Sequence, residues 1–146
     1  MDEQLLARQM PHSLEAEQSL LGSILIDSSI LPDVIGMVTP EDFYLQQNRE
    51  IYETIYTMFN FSESIDPVTV LEKMRQTGVY QDNTREYIKQ IMMITPTASN
   101  AKRYADIVRQ KALMRGLAEA SADINKSVLE QVGTAEELLE NAEKRI

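Results

Sequence analysis

The stretch Thr97 to Val132, TASNAKRYADIVRQKALMRGLAEASADINKSVLEQV, constrains the fold more than any other part of this sequence. Tyr104, Ile107, Val108, Met114, Leu117, Ala118, Ile124 and Val128 recur at helical spacing, and no proline interrupts them. A single helix over this stretch is on the order of 50 Å long. A compact unit built from the roughly one hundred residues before it is only about 30–35 Å across. The distal half of the helix is therefore expected to project from a head.

A projecting apolar stripe needs cover, and the sequence supplies some of it downstream. Gly133 reads as a stop signal. Thr134 fits an N-cap with Glu137 three residues on, and Ala135, Leu138, Leu139, Ala142 and Ile146 form a second stripe. The expected ending is an α-helical hairpin. Two helices cover only part of each other's stripe, so the remaining apolar surface is expected to meet another chain.

The rest of the 146-residue chain suits one modest core: 43% of it is hydrophobic. There is no cysteine, which excludes disulfides, thiol catalysis and zinc–thiolate sites. No apolar run is long enough to cross a bilayer, and Met1 to Met10 is too polar for a secretory signal, so a cytoplasmic protein is expected. The formal charge of −9 repels a nucleic-acid backbone. The densest basic run, Lys102, Arg103, Arg109, Lys111 and Arg115, contains Asp106 and no interleaved aromatics, and reads as a solvated helix surface rather than a phosphate track.

Read in order, the head is a series of short helices. Met1 to Pro11 is expected to be an arm. Ser13 caps a helix with Leu14, Leu20, Leu21, Ile24 and Leu25 on its apolar face and an acidic first turn containing Glu15 and Glu17. Asp27 or Ser28 starts a short helix with Pro32 in its first turn, and Thr39-Pro40-Glu41-Asp42 is a further start signature. A longer helix is expected from Gln47 to Phe59. Another follows Asp66-Pro67 and ends at Gly78; a third opens at Asn83 or Thr84, carries Tyr87, Ile88 and Ile91, and stops before Pro96. Strand patterns are absent, apart from a two-residue extended piece near Val79 and Tyr80. The fold class is all-α: a compact helical head, residues 1–96, with a protruding helical hairpin, residues 97–146.

Catalytic chemistry finds little support. His12 is the only histidine, and none of the five glycines lies in a phosphate-binding arrangement, so this chain alone is not expected to hydrolyse a nucleotide. Glu136, Glu140 and Glu143 share a helix side without a facing ligand array, and Lys144 pairs with Glu140 at i,i+4; no metal site is expected. Met92 and Met93 read as core filling. Gly22 and Gly116 inside helices point to close helix contacts, with a kink as the competing explanation at Gly116.

Six segments carry a resemblance. PHSLEAEQSLLGSILID, TPEDFY, NREIYETIYTMF, IDPVTVLEKM, EYI and TPTASNAKRYADIVRQKALMRGL, in this order and spacing, resemble the N-terminal domain of the bacterial replicative DNA helicase, the DnaB family. The resemblance covers essentially the whole chain. It departs from the family pattern at Asn48, where a histidine is common, at Asn83 to Glu86 ahead of Tyr87, and at Ala118, where a bulkier residue is usual.

The resemblance implies an assembly and recruitment domain without catalytic activity of its own, from a hexameric helicase that unwinds DNA 5′ to 3′. It implies that hairpins of neighbouring subunits pair into a collar, a trimer of dimers, through Ile107, Met114, Leu117, Ile124, Val128, Leu138, Leu139 and Ala142. It implies recruitment of the C-terminal domain of primase by a surface including Tyr87, Ala118 and Ile124. A helicase loader is a further implied partner. DNA is expected to be engaged only weakly by this chain, or through the full ring. ATP and magnesium are assigned to a separate motor domain, and no cofactor to this chain. The alternative from a different class is a free-standing helical adaptor that binds one protein partner.

Overall fold

The computed structural model describes residues 10–146, so the arm expected over residues 1–11 lies outside the described residues except at its end. The described residues form seven α-helices and two 3-10 turns, with no strand. They divide into two compact units, one of residues 12–111 and one of residues 10–11 with 112–146.

In the larger unit, α1 (Leu14–Ile26) starts at Ser13, whose hydroxyl oxygen accepts from the Ala16 amide at 3.1 Å. Asp27 ends α1 and caps the 3-10 turn Ser28–Ile30, which leads directly into α2 (Leu31–Val34) with Pro32 in its first turn. The Thr39-Pro40 signature makes only a 3-10 turn, Pro40–Asp42, in which the Asp42 carboxylate accepts from the Thr39 amide at 2.9 Å. Then come α3 (Gln46–Asn60), α4 (Pro67–Thr77) and α5 (Thr84–Ile94). Asp66 and Thr69 cap α4 reciprocally, each side chain accepting the other's amide at 2.9 Å.

The long helix is α6 (Ala101–Leu129), shorter at both ends than the expected Thr97 to Val132. At its start the Ser99 amide donates to the Thr97 hydroxyl at 3.3 Å, a local turn that competes with helix. At its end Gln131 is left-handed with φ 54°, the Val132 amide reaches back to the Ser127 carbonyl at 3.2 Å, and the Gln131 amide to Val128 at 3.1 Å. This is a Schellman stop centred on Gln131, two residues before the glycine that the sequence suggested. The same pair of bonds ends α3 at Ser62 and α4 at Gly78. α6 contributes residues 101–111 to the larger unit and the remainder to the smaller, where Thr134 caps α7 (Ala135–Arg145) by accepting from the Glu137 amide at 3.2 Å.

The core of the larger unit gathers around α1, in which Ala16, Glu17 and Ser19 through Leu25 are all buried. Leu20, Leu21 and Ile24 pack with Phe43, Ile51, Tyr52 and Ile55, with Met74 of α4, Ile88 and Ile91 of α5, and Ala105 and Val108 of α6. Tyr52 is fully buried and donates to the Val38 carbonyl at 3.0 Å. Burial pushes its pKa well up, and burial likewise raises that of Tyr87. Met92 packs against this core, whereas Met93 is 85% exposed and fills nothing, because its position on α5 turns it outward.

Gly22 is where α1 and α5 touch most closely. A Cβ there would lie 2.1 Å from Thr95 Oγ1 and 2.7 Å from the Ile91 carbonyl oxygen. Gln18 bonds Tyr87 one turn earlier on both helices, so α1 and α5 run in the same direction. Gly116 lacks the close contact expected of it: a Cβ there would meet nothing within 4 Å.

Two outcomes follow from these positions. Gly22→Ala is expected to destabilise the protein by about 1–3 kcal/mol in urea denaturation, since a carbonyl cannot move aside as a side chain can. Gly116→Ala is expected to stabilise by up to about 1 kcal/mol from helix propensity alone; equal effects at both sites would contradict the packing at Gly22. Because the folded state holds protons on Tyr52 and Tyr87 longer than the unfolded chain does, stability should fall as the pH rises past about 10, and Tyr52→Phe should flatten that fall in an alkaline titration of the unfolding midpoint.

Candidate functional site

The candidate residues fall into both units, and Tyr87 is the one with the most defined surroundings. It sits half-buried on α5 against the core. Its hydroxyl donates a short hydrogen bond to Asn48 Oδ1 and accepts from Gln18 Nε2 at 3.2 Å. Asn48 is fully buried, and its Nδ2 donates to Glu17 Oε1 at 3.0 Å. Glu17 is only 1% exposed. Its carboxylate also accepts from the backbone amides of Tyr44, at 2.8 Å, and Leu45, at 3.3 Å.

The chemistry of this chain of bonds is explicit. Leu45 precedes α3 and has no side chain able to cap it. From α1, the Glu17 carboxylate instead accepts the amides of Tyr44 and Leu45, the two residues just ahead of α3, placing negative charge where the helix dipole favours it. A buried carboxylate is tolerated because donors surround it. Sequence reasoning read Glu17 only as part of an acidic first turn. The available signal was its phase: Glu17 shares the i, i+3, i+4, i+7 face with Leu20, Leu21 and Ile24, so it points inward.

The remaining candidates lie in the smaller unit, apart from Ile107, which packs against the core of the larger one. Ile124, Leu138 and Ala142 are half-buried and, with Val132, line a cavity of about 230 Å³ between α6 and α7. An ion pair between Arg145 and Asp123 borders it. Ala118 is half-buried. Met114, Leu117, Val128 and Leu139 are exposed, Leu117 by 59% and Leu139 by 62%, and so are Leu129 and Val132. A single chain thus leaves much of the apolar surface of this unit uncovered.

Other groups take no part in a reactive constellation among the described residues. His12 stacks on the Tyr44 ring with centroids 4.3 Å apart. No three acidic or histidine side chains converge as metal ligands, and Glu140 pairs with Lys144 at 3.6 Å. Arg115, expected on a solvated face, is buried and donates to the Pro11 carbonyl at 2.8 Å. No helix of the described residues is long and apolar enough to cross a membrane.

Comparison with known proteins agrees with this arrangement. Residues 9–110 match the DnaB-like helicase N terminal domain family. The replicative DNA helicase DnaB of Leifsonia xyli subsp. xyli is 34% identical over 140 residues, which are 95% of this chain and 31% of that helicase. The chain therefore spans about a third of the length of the curated relatives it matches. The crystal structure of the N-terminal domain of DnaB helicase from Mycobacterium tuberculosis is similar with a TM-score of 0.89 at 31% identity, covering 94% of this chain and 98% of that one. The N-terminal domain of DnaB helicase from Helicobacter pylori, a structure described with its interactions with primase, is similar with a TM-score of 0.67 over 88% of this chain and 98% of that one; at 20% identity it supports the fold alone.

Glu17→Ala should strand two backbone amides and the Asn48 side chain, and is expected to cost about 3 kcal/mol in chemical denaturation at neutral pH. Glu17→Gln keeps one acceptor but turns an N–H₂ toward donors, and should cost about 2 kcal/mol. A neutral effect of both would show that water can replace the carboxylate.

Proposed function

This chain belongs to the DnaB-like helicase N-terminal domain family, and on that premise we propose that it is the assembly and primase-recruitment domain of a hexameric replicative helicase. In this reading it forms the collar, a trimer of dimers, and performs no catalysis itself. ATP, magnesium and 5′-to-3′ unwinding belong to a separate motor domain, and the protein works in the bacterial cytoplasm at replication forks. Its partners are further copies of itself and the C-terminal domain of primase. A helicase loader is a further partner, and DNA is engaged through the full ring.

The observation that carries this reading is the apolar surface of the smaller unit. Met114, Leu117, Val128 and Leu139 are exposed in the single chain although each lies on a regular helix. Covering them with the same residues of a second copy gives a self-complementary contact, the arrangement that two-fold pairing requires. Ile124, Leu138 and Ala142 support the contact from within the hairpin, and Ile107 anchors α6 in the larger unit. The negative charge of the chain, −9, fits a protein partner better than a nucleic-acid backbone.

Sedimentation equilibrium tests the reading. The chain is expected to form dimers or hexamers. Leu117→Asp, at a side chain already exposed in the single chain, should leave the helical circular dichroism unchanged while weakening association by about 100-fold or more, because the carboxylate would be buried unpaired at the contact. An unchanged sedimentation profile in the folded variant would remove Leu117 from the pairing face, and a persistent monomer that binds no primase fragment would favour the adaptor.

A further inference from the structure

Met114 is 47% exposed on α6, beside Leu113 and three residues ahead of Leu117, both of which are exposed as well. Its thioether is apolar, but unlike the leucines around it, it can be made polar by a single oxygen atom. We propose that Met114 is an oxidative modification site, at which conversion of the thioether to a sulfoxide by a hydroperoxide weakens the association of this chain with a second copy; this rests on the self-pairing reading above.

In this step the Met114 sulfur attacks the terminal oxygen of the hydroperoxide. An S–O bond forms, the O–O bond breaks, and the remaining oxygen leaves with the proton as an alcohol or, from hydrogen peroxide, as water. Sulfur gives up two electrons and the peroxide takes them. A thiol-dependent methionine sulfoxide reductase reverses the change, the sulfoxide oxygen leaving as water while two thiols become a disulfide.

Two observations carry the proposal. First, exposure separates the methionines. Met58 and Met74 lie in the core at 2% and 1% exposure, and Met10, Met37 and Met92 are half-buried. Among the described residues only Met93, at 85%, and Met114 are open to an oxidant. Second, these two thioethers stand in different units. Met93 is on α5 of the larger unit, which carries none of the pairing residues, so a sulfoxide there leaves pairing unaffected. Met114 is in the smaller unit, on the helix that also carries Leu117 and Val128, so its sulfoxide oxygen would lose water at the contact among apolar side chains. A two-fold contact receives the same side chain from both copies, so each oxidised site counts twice. Reciprocally, pairing covers Met114 and slows its oxidation.

The test treats the full chain with hydrogen peroxide, reads each methionine by peptide mass spectrometry and measures association by sedimentation equilibrium. Wild type, Met93→Leu and Met114→Leu are each compared with themselves before and after peroxide, with circular dichroism establishing that each stays folded. Oxidation is expected to weaken association about tenfold or more in the wild type and in Met93→Leu. In Met114→Leu it should change association by less than about twofold. Treatment of the oxidised wild type with methionine sulfoxide reductase and a dithiol should restore association. The ratio of Met114 to Met93 oxidation should fall as the protein concentration is raised through the association range.

A folded wild type, oxidised at Met114, that associates as tightly as the reduced protein would overturn the proposal and leave self-pairing standing. So would a Met114→Leu variant that loses association on oxidation as fully as the wild type, since another residue would then carry the effect. A ratio of Met114 to Met93 oxidation that is independent of concentration would equally overturn it. A reduced wild type that stays monomeric throughout would overturn the self-pairing reading, and with it this inference.

Discussion

The larger unit depends on a carboxylate inside it. Glu17 projects from α1 into a position with almost no solvent, where two backbone amides and the Asn48 amide converge on it. Removing an ionised group from water is costly, and the cost is offset only when enough donors meet it in good geometry. Here the donors belong to groups that would otherwise lack acceptors, the amides just before α3. Two deficits cancel each other, and the cancellation fixes how α1 meets α3.

The packing around that point follows the same logic of mutual fit. α1 is buried on nearly every side, which requires small residues where neighbours come closest. Gly22 permits contact with the carbonyl of Ile91, and Ser23 turns its hydroxyl back to the Ser19 carbonyl at 2.7 Å so that no polar group is stranded. The smaller unit has the opposite character. Its two helices share a cavity and an ion pair, and Met114, Leu117, Val128 and Leu139 remain in solvent. One unit is satisfied by its own residues, whereas the other leaves hydrophobic area for association.

Much of this was legible in the sequence. The all-α class, the caps at Ser13, Asp66 and Thr134, and Pro32 and Pro67 in first turns could all be read locally, because each depends on residues within one turn of one another. What could not be read depends on distant partners or on backbone geometry without a glycine marker. Two of the three Schellman stops use Ser62 and Gln131, residues that give no left-handed signal, so local sequence signals put the end of the long helix too late. The outward turn of Met93 is hidden in the sequence because a run of apolar residues on α5 does not show which ones face the core. Glu17 and Asn48 meet across 31 positions of sequence, and no pattern within a helix announces that. For the candidate surfaces, the apolar stripe of the long helix was visible, but its division between the core at Ile107 and solvent at Leu117 was not.

The bond between Glu17 and the Tyr44 amide also orders events in time. A chain is synthesised from its N-terminus, so Glu17 is made 27 residues before the Tyr44 amide that it will receive. At about 5–20 residues per second the ribosome leaves an interval of about one to five seconds in which the acceptor exists and its donors do not.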